Sequence, residues 1–158
     1  MAALLRLIKQ RVYMKRLIFS AVFLVVLTSL APAQKPRIVT AAQANGTYSY
    51  RDNEIRILAL GGGKLKVQMD LVYAYKANGE LTANTGFALG EADIVNDVAT
   101  FQPPDTEGCT ITMKFLPGNK LKVTEDGGTG GCGFGHNVYS DGTYRKIKAG
   151  KPKFDENR

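Results

Sequence analysis

Cys132-Gly-Phe-Gly-His136-Asn-Val-Tyr-Ser140-Asp-Gly-Thr-Tyr144 brings together one of the chain's two cysteines, its only histidine, a serine and two tyrosines. Three chemistries are open to such a cluster. Cys132, His136 and Cys109 could ligate a metal, but a structural zinc site takes four ligands and a catalytic one is usually oriented by outer carboxylates. No CxxC or HxxxH pattern supplies the remainder, so no metal is expected. His136 could serve as a general base for Ser140, yet that needs an orienting third group, and no G-x-S-x-G elbow is present. The third possibility is a buckle, in which Cys109 and Cys132 form a disulfide, Gly133 and Gly135 bend the chain and Phe134 enters the core. The last is the favoured reading. Glu91 and Asp93 share one strand face at i, i+2, a spacing expected of a solvated face rather than an acid pair. The run Gly127–Gly131 lacks the lysine-serine ending and following helix of a phosphate loop.

Tyrosines are the other chemical resource. Tyr48/Tyr50 and Tyr73/Tyr75 are i, i+2 pairs, so each pair shares a face. Facing inward, Tyr73 and Tyr75 would line a small apolar cavity with polar handles. Facing outward, they would form a patch for a protein partner.

The formal charge of +7 is concentrated at one end. Residues 1–33 carry Arg6, Lys9, Arg11, Lys15 and Arg16 and no acid, leaving 16 basic against 14 acidic residues elsewhere. That near-neutral remainder has no electrostatic footprint for nucleic acid. Lys15-Arg16, the apolar run Leu17–Leu30 and Ala31-Pro32-Ala33 have the form of a secretion signal with its cleavage site. The run is shorter than the roughly 20 residues of a spanning helix. Met14 could equally begin such a signal. The expectation is a secreted or periplasmic protein, starting near Gln34, without a stable membrane anchor. In an oxidising compartment Cys109 and Cys132 would pair.

Beyond a flexible leader at 34–44, period-two alternation dominates. It runs through Ile55/Ile57, Leu65/Val67/Met69/Leu71, Cys109/Ile111/Met113/Phe115 and Leu121/Val123, the signature of strands with one buried and one wet face. Gly61–Gly63, Asn78-Gly79, Asn96-Asp97, Pro117–Asn119 and Asp141-Gly142 supply turns. The spacing predicts strands near 46–50, 54–60, 64–75, 85–89, 91–95, 98–102, 109–116 and 120–124, then a hairpin of 134–139 with 142–147. The fold class is all-β: an antiparallel meander closing as a barrel of about eight strands, lipocalin-like in architecture, or folding as a sandwich. The domain spans 45–148, and the basic segment 149–158 reads as a disordered tail. Asn45-Gly46-Thr47-Tyr48 recurs as Asp141-Gly142-Thr143-Tyr144, near the two ends that would meet if a barrel closes.

Cys109–Phe115, Lys120–Val123 and Cys132–Tyr144 together resemble small exported bacterial β domains loosely grouped with lysozyme inhibitors. The resemblance covers about a third of the chain beyond the signal. It implies a small antiparallel barrel that pushes a loop carrying Ser and Tyr into a lysozyme's cleft. Here those residues would be Ser140 and Tyr144 with His136 beside them. The leading expectation is therefore a non-catalytic binding module acting through residues 133–144 on a cell-wall hydrolase or another exported protein. The alternative is a carrier for a small apolar ligand, with Tyr73 and Tyr75 lining its cavity. No enzyme activity and no cofactor are expected.

Overall fold

The structure is a computed structural model in which residues 37–127 and 131–156 are described. The expected signal, residues 1–33, and positions 34–36 of the leader lie outside the described residues. A one-turn helix α1 (Ala41–Ala44) precedes eight strands: β1 (Gly46–Tyr50), β2 (Asn53–Gly61), β3 (Lys64–Ala77), β4 (Glu80–Val95), β5 (Val98–Phe101), β6 (Thr110–Leu116), β7 (Lys120–Asp126) and β8 (Gly142–Ala149). Each strand pairs antiparallel with the next and β8 returns to β1, so the sheet is a closed barrel.

Alternation decides which residues fill it. Ile55 and Ile57 face Met69 and Val67 across β2–β3, and all four are buried. On β4 the inward positions Gly86, Ala88, Gly90 and Ala92 lie opposite Leu71, Met69, Val67 and Leu65. Small residues there make room for aromatic rings. A Cβ on Gly90 would lie 3.1 Å from the Phe101 ring, and one on Gly86 would lie 2.6 Å from the Phe134 Cβ. Each fully buried aliphatic or aromatic side chain contributes roughly 1.5–3 kcal/mol of transfer free energy.

The two x-Gly-Thr-Tyr sequences are one device used twice. Asn45 Oδ1 accepts from the Ala59 N–H of β2 at 2.6 Å, and Asp141 Oδ1 accepts from the Glu125 N–H of β7 at 3.1 Å. In each case the first residue caps the neighbouring strand. The tyrosine, buried, then reaches back four residues: Tyr48 Oη donates to the Ala44 carbonyl at 2.8 Å, and Tyr144 Oη to the Ser140 carbonyl at 2.9 Å. Since β1 and β8 are antiparallel neighbours, the two copies close opposite ends of the same seam.

Four boundaries differ from the sequence-based expectation. Residues 85–89 and 91–95 are one strand, because Gly90 serves as a small inward position rather than a turn. Residues 134–139 form a loop, since Gly135 and Asn137 adopt positive φ and the Val138 N–H turns back to the Gly135 carbonyl instead of joining a ladder. The part of the leader from Arg37 on is anchored, as Val39 N–H donates to the Asn96 carbonyl and Thr40 and Gln43 form a reciprocal capping box on α1. Lys146 Nζ donates to the Gln43 and Asn45 carbonyls behind α1, and burial lowers its pKa. Finally, the C-terminal segment to Glu156 is a strap rather than a loose tail. Asp155 pairs with Arg56 at 2.9 Å, its N–H donates to Gln68 Oε1 at 2.8 Å, and Glu156 pairs with Lys66. Gln68 points outward from the barrel, and the strap leaves it fully buried.

Candidate functional site

Turns 61–64, 95–98 and 116–120 lie at the α1 end of the barrel, and they are short. The opposite end carries the β1–β2 turn, the long β3–β4 hairpin and the connections 102–109 and 127–141. Cys109 and Cys132 are disulfide-bonded, with Cα atoms 5.0 Å apart, and so tie those two connections together. The buckle reading of Cys132 is thereby correct, including Phe134, which is buried against Gly86.

Above the bridge, the loop 131–141 is held by polar groups of β7 and β8. Glu125 Oε2 accepts from both the N–H and the hydroxyl of Ser140, at 2.8 and 2.9 Å. Tyr144 then closes the loop by its bond to the Ser140 carbonyl. Ser140 and Tyr144 are both 0% exposed, so neither is presented to a cleft. Burial raises the Tyr144 pKa to about 12, and raises that of Tyr48 further. These two positions, expected as contact residues from the resemblance, instead secure the loop to the wall. His136 is exposed, and its carbonyl accepts from Asn84 Nδ2 of β4 at 2.8 Å. That bond ties the loop to the hairpin.

The hairpin projects beyond the barrel because β3 and β4 are much longer than their neighbours. The β2–β3 register ends at Glu54 opposite Asp70, and β4–β5 pairing covers only Ala92–Val95. Tyr73 and Tyr75 share the inward parity of Leu71 but lie past the rim, 40% and 37% exposed. Their rings stack at 5.8 Å with 22° between planes. They do not line an interior cavity, since the wall has ended before they occur. The barrel axis is filled by buried side chains such as Met69, Phe101, Met113 and Tyr144.

Tyr139, 60% exposed, comes from the loop to the same end. A groove of about 440 Å³ runs there, with Tyr73 and Ala74 on one side, Asn137, Tyr139 and Asp141 on the other, and the turn Tyr50–Asn53 at its base. Its charge is mixed: Arg51 lies 5.1 Å over the Tyr50 ring, and Asp52 and Asp141 stand opposite. A larger groove of about 710 Å³ lies on the outer wall beside the strap, among Glu54, Arg56, Asp70 and Asp155. Burial works to lower the Arg56 pKa, but the hydrogen bond to Asp155 and the charges of Glu54, Asp70 and Asp155 outweigh it and raise it. Glu91 and Asp93 sit across from Lys66 and Lys64 on the outer face, with Lys64 Nζ 2.6 Å from Asp93 Oδ1. Among the described residues, no cluster of three His, Cys, Asp or Glu is placed to hold a metal ion.

The structure thus brings Tyr73, Tyr75 and His136 to one end and removes Ser140 and Tyr144 from the accessible set. Sequence reasoning placed Tyr139 within the 133–144 loop without singling it out as a contact, and it missed the turn residues Arg51 and Asn53. No family model, curated protein or solved structure matches the chain.

Proposed function

We propose that the protein is a non-catalytic binding module of an oxidising, exported compartment, and that it recognises a protein partner through the aromatic end of its barrel. The observation that carries this reading is the convergence of three exposed tyrosines, Tyr73 and Tyr75 from the hairpin and Tyr139 from the loop, beside a groove of mixed charge. Tyrosine offers a large rigid apolar surface with a polar tip, which is why it anchors interfaces. The disulfide holding the loop is the bond favoured in an exported protein. Among the described residues, no helix is long and apolar enough to cross a membrane.

The partner class suggested by the resemblance, a cell-wall hydrolase, is kept, with a changed contact set. The projecting hairpin and Tyr139 replace Ser140 and Tyr144 as the groups that reach the partner. Calorimetric titration against lysozyme and other cell-wall hydrolases tests it. Alanine at Tyr73, Tyr75 and Tyr139 together is expected to weaken binding at least about 100-fold, since central tyrosine anchors carry on the order of 2 kcal/mol each. Tyr144→Phe is expected to leave affinity unchanged. Equal affinity of the triple variant and the parent would remove the aromatic end as the binding surface.

A further inference from the structure

The α1 end of the barrel has a chemistry of its own. Ile38, Leu60, Val95 and Ile147 are exposed there, on the leader and at or near the last residues of β2, β4 and β8. Leu81 and the exposed tyrosines belong to the opposite end. Among the described residues, the wall between the two ends exposes no other large hydrophobic side chain. Ile38 and Leu60 also border a shallow groove of about 380 Å³ between the leader, β2 and β4, whose lining includes Val39, Ala59, Leu65 and Ile94. Charge divides in the same way. Around the α1 end stand Arg37, Lys114, Lys120 and Lys148 against Asp97, once Lys64 and Asp93 have paired. Turns and connections of the opposite end carry Asp52, Glu80, Asp105, Glu107, Asp126 and Asp141 against Arg51 and Lys76. The barrel is thus polarised, with one end aliphatic and basic and the other aromatic and acidic.

We infer that the α1 end docks reversibly on the surface of an anionic phospholipid bilayer. Ile38, Leu60 and Val95 enter the boundary between headgroups and acyl chains, while Lys114, Lys120 and Lys148 meet lipid phosphates. Binding of this kind draws on apolar area together with attraction to anionic lipid. The composition selects lipid over a protein partner, since protein interfaces favour aromatic anchors and are depleted in lysine. Lysine suits a headgroup layer, where its stem lies along apolar surface and its ammonium stays in the polar region. Connectivity points the same way. The segment read as an export signal joins the barrel at this end through Arg37, so it would hold an exported chain to the bilayer from this side until cleavage. Docking in this orientation turns the tyrosine end away from the lipid and leaves it open to other contacts. The two surfaces are independent, and loss of one does not entail loss of the other.

The chain contains no tryptophan, so Val95→Trp and Leu81→Trp each install a single fluorescent reporter, one per end, at an exposed position. Each variant, purified after expression of the full-length chain, is titrated with vesicles of phosphatidylethanolamine containing about one-third phosphatidylglycerol. Val95→Trp is expected to shift its emission to the blue and to be quenched by brominated acyl chains, and Leu81→Trp to do neither. Because the reporter reads which end meets lipid, the result holds whether or not residues 1–33 remain attached. Ile38→Ser with Leu60→Ser, added to Val95→Trp, is expected to raise the lipid concentration at half-maximal shift at least about tenfold. Glutamate in place of Lys114 and Lys148 reaches the same outcome through charge, and covers the case in which the serine variant is poorly folded. About 1 M salt should act like the charge reversal. Unchanged Val95→Trp emission with lipid would overturn the inference. So would a response from Leu81→Trp instead, or an equal response to vesicles of phosphatidylcholine alone. A blue shift that grows with protein concentration in the absence of vesicles would assign this end to self-association and overturn it as well.

Discussion

Gly86 shows how one missing side chain organises the candidate site. Its position on β4 admits Phe134 from the loop, and the packed ring then holds that end of the barrel shut. Gly86→Ala is expected to destabilise the fold by about 1–3 kcal/mol through overpacking against Phe134, read from urea unfolding midpoints. Phe134→Ala in the same background should recover part of that loss of packing, a coupling that a double-mutant cycle measures. The buried tyrosines make a separate prediction about pH. Burial holds the Tyr144 phenol protonated to about 12 in the folded protein, whereas an unfolded tyrosine ionises near 10. A raised folded-state value means its contribution is complete below about pH 10 and is lost as pH rises toward about 12. Urea midpoints should fall across that window, and phenolate absorbance should show a delayed step that shrinks in Tyr144→Phe. The same residues mark the limit of sequence reading. Nothing in Ser140-Asp-Gly-Thr-Tyr144 distinguishes a presented loop from one bonded inward, because that depends on Glu125 arriving from β7.

The strap and the hairpin behave as separate elements laid on the barrel. The strap holds through charge at its tip, with Asp155 on Arg56 and Glu156 on Lys66, and through Gln68 beneath it. Lys66 keeps the Glu156 carboxyl below its ordinary value. With a depressed folded-state value, that contribution is present at neutral pH and disappears as pH falls through it. The protection factor of the Asp155 amide, which allows for the intrinsic slowing of exchange in acid, should therefore fall at low pH, and also in about 1 M salt, which screens exposed pairs. Deleting residues 153–158 should cost only about 1 kcal/mol, since exposed ion pairs are individually weak. Composition alone read this segment as solvated, because its anchors, Arg56, Lys66 and Gln68, come from strands far away in sequence. The strands themselves were more legible. Leu65/Val67/Met69/Leu71 showed its buried face at once, and Asn78-Gly79 marked the hairpin turn, with positive φ at both residues. What alternation could not reveal was length, since β3 keeps its period past the rim where no core remains to bury Tyr73 and Tyr75.

At the scale of the whole molecule, the barrel leaves its candidate surface at one end and ties that end with the only disulfide. Cys109 and Cys132 are 23 residues apart in sequence. Closing such a loop constrains the unfolded chain by about 3 kcal/mol in the chain-entropy account. Reduction should lower the denaturant midpoint accordingly, and it should weaken partner binding beyond what the lost stability explains, because Tyr139 sits in the released loop. Comparing binding before and after thiol treatment, at a temperature where both forms remain folded, separates the two effects. The all-β class could be read from period and spacing, and each of the eight strands had a counterpart there, although β4 was expected as two strands and residues 134–139 as a further one; the bridge was expected from an exported setting for the two cysteines. Closure into a barrel rather than a sandwich rests on Gly46 meeting Ala149, of which the repeated Gly-Thr-Tyr was the one sequence trace.

That seam has a kinetic consequence. Seven of the eight strand pairings join neighbours in the chain and can zip up in sequence order, whereas β1–β8 joins the two ends of the domain. Its loop-closure entropy is recovered only after the intervening strands have organised. The seam is then the last part to form and the first to open. Substitutions along it, at Tyr48 above all, act chiefly on the rate of unfolding and leave the rate of folding nearly untouched, so the lifetime of the closed barrel is set where its two ends meet.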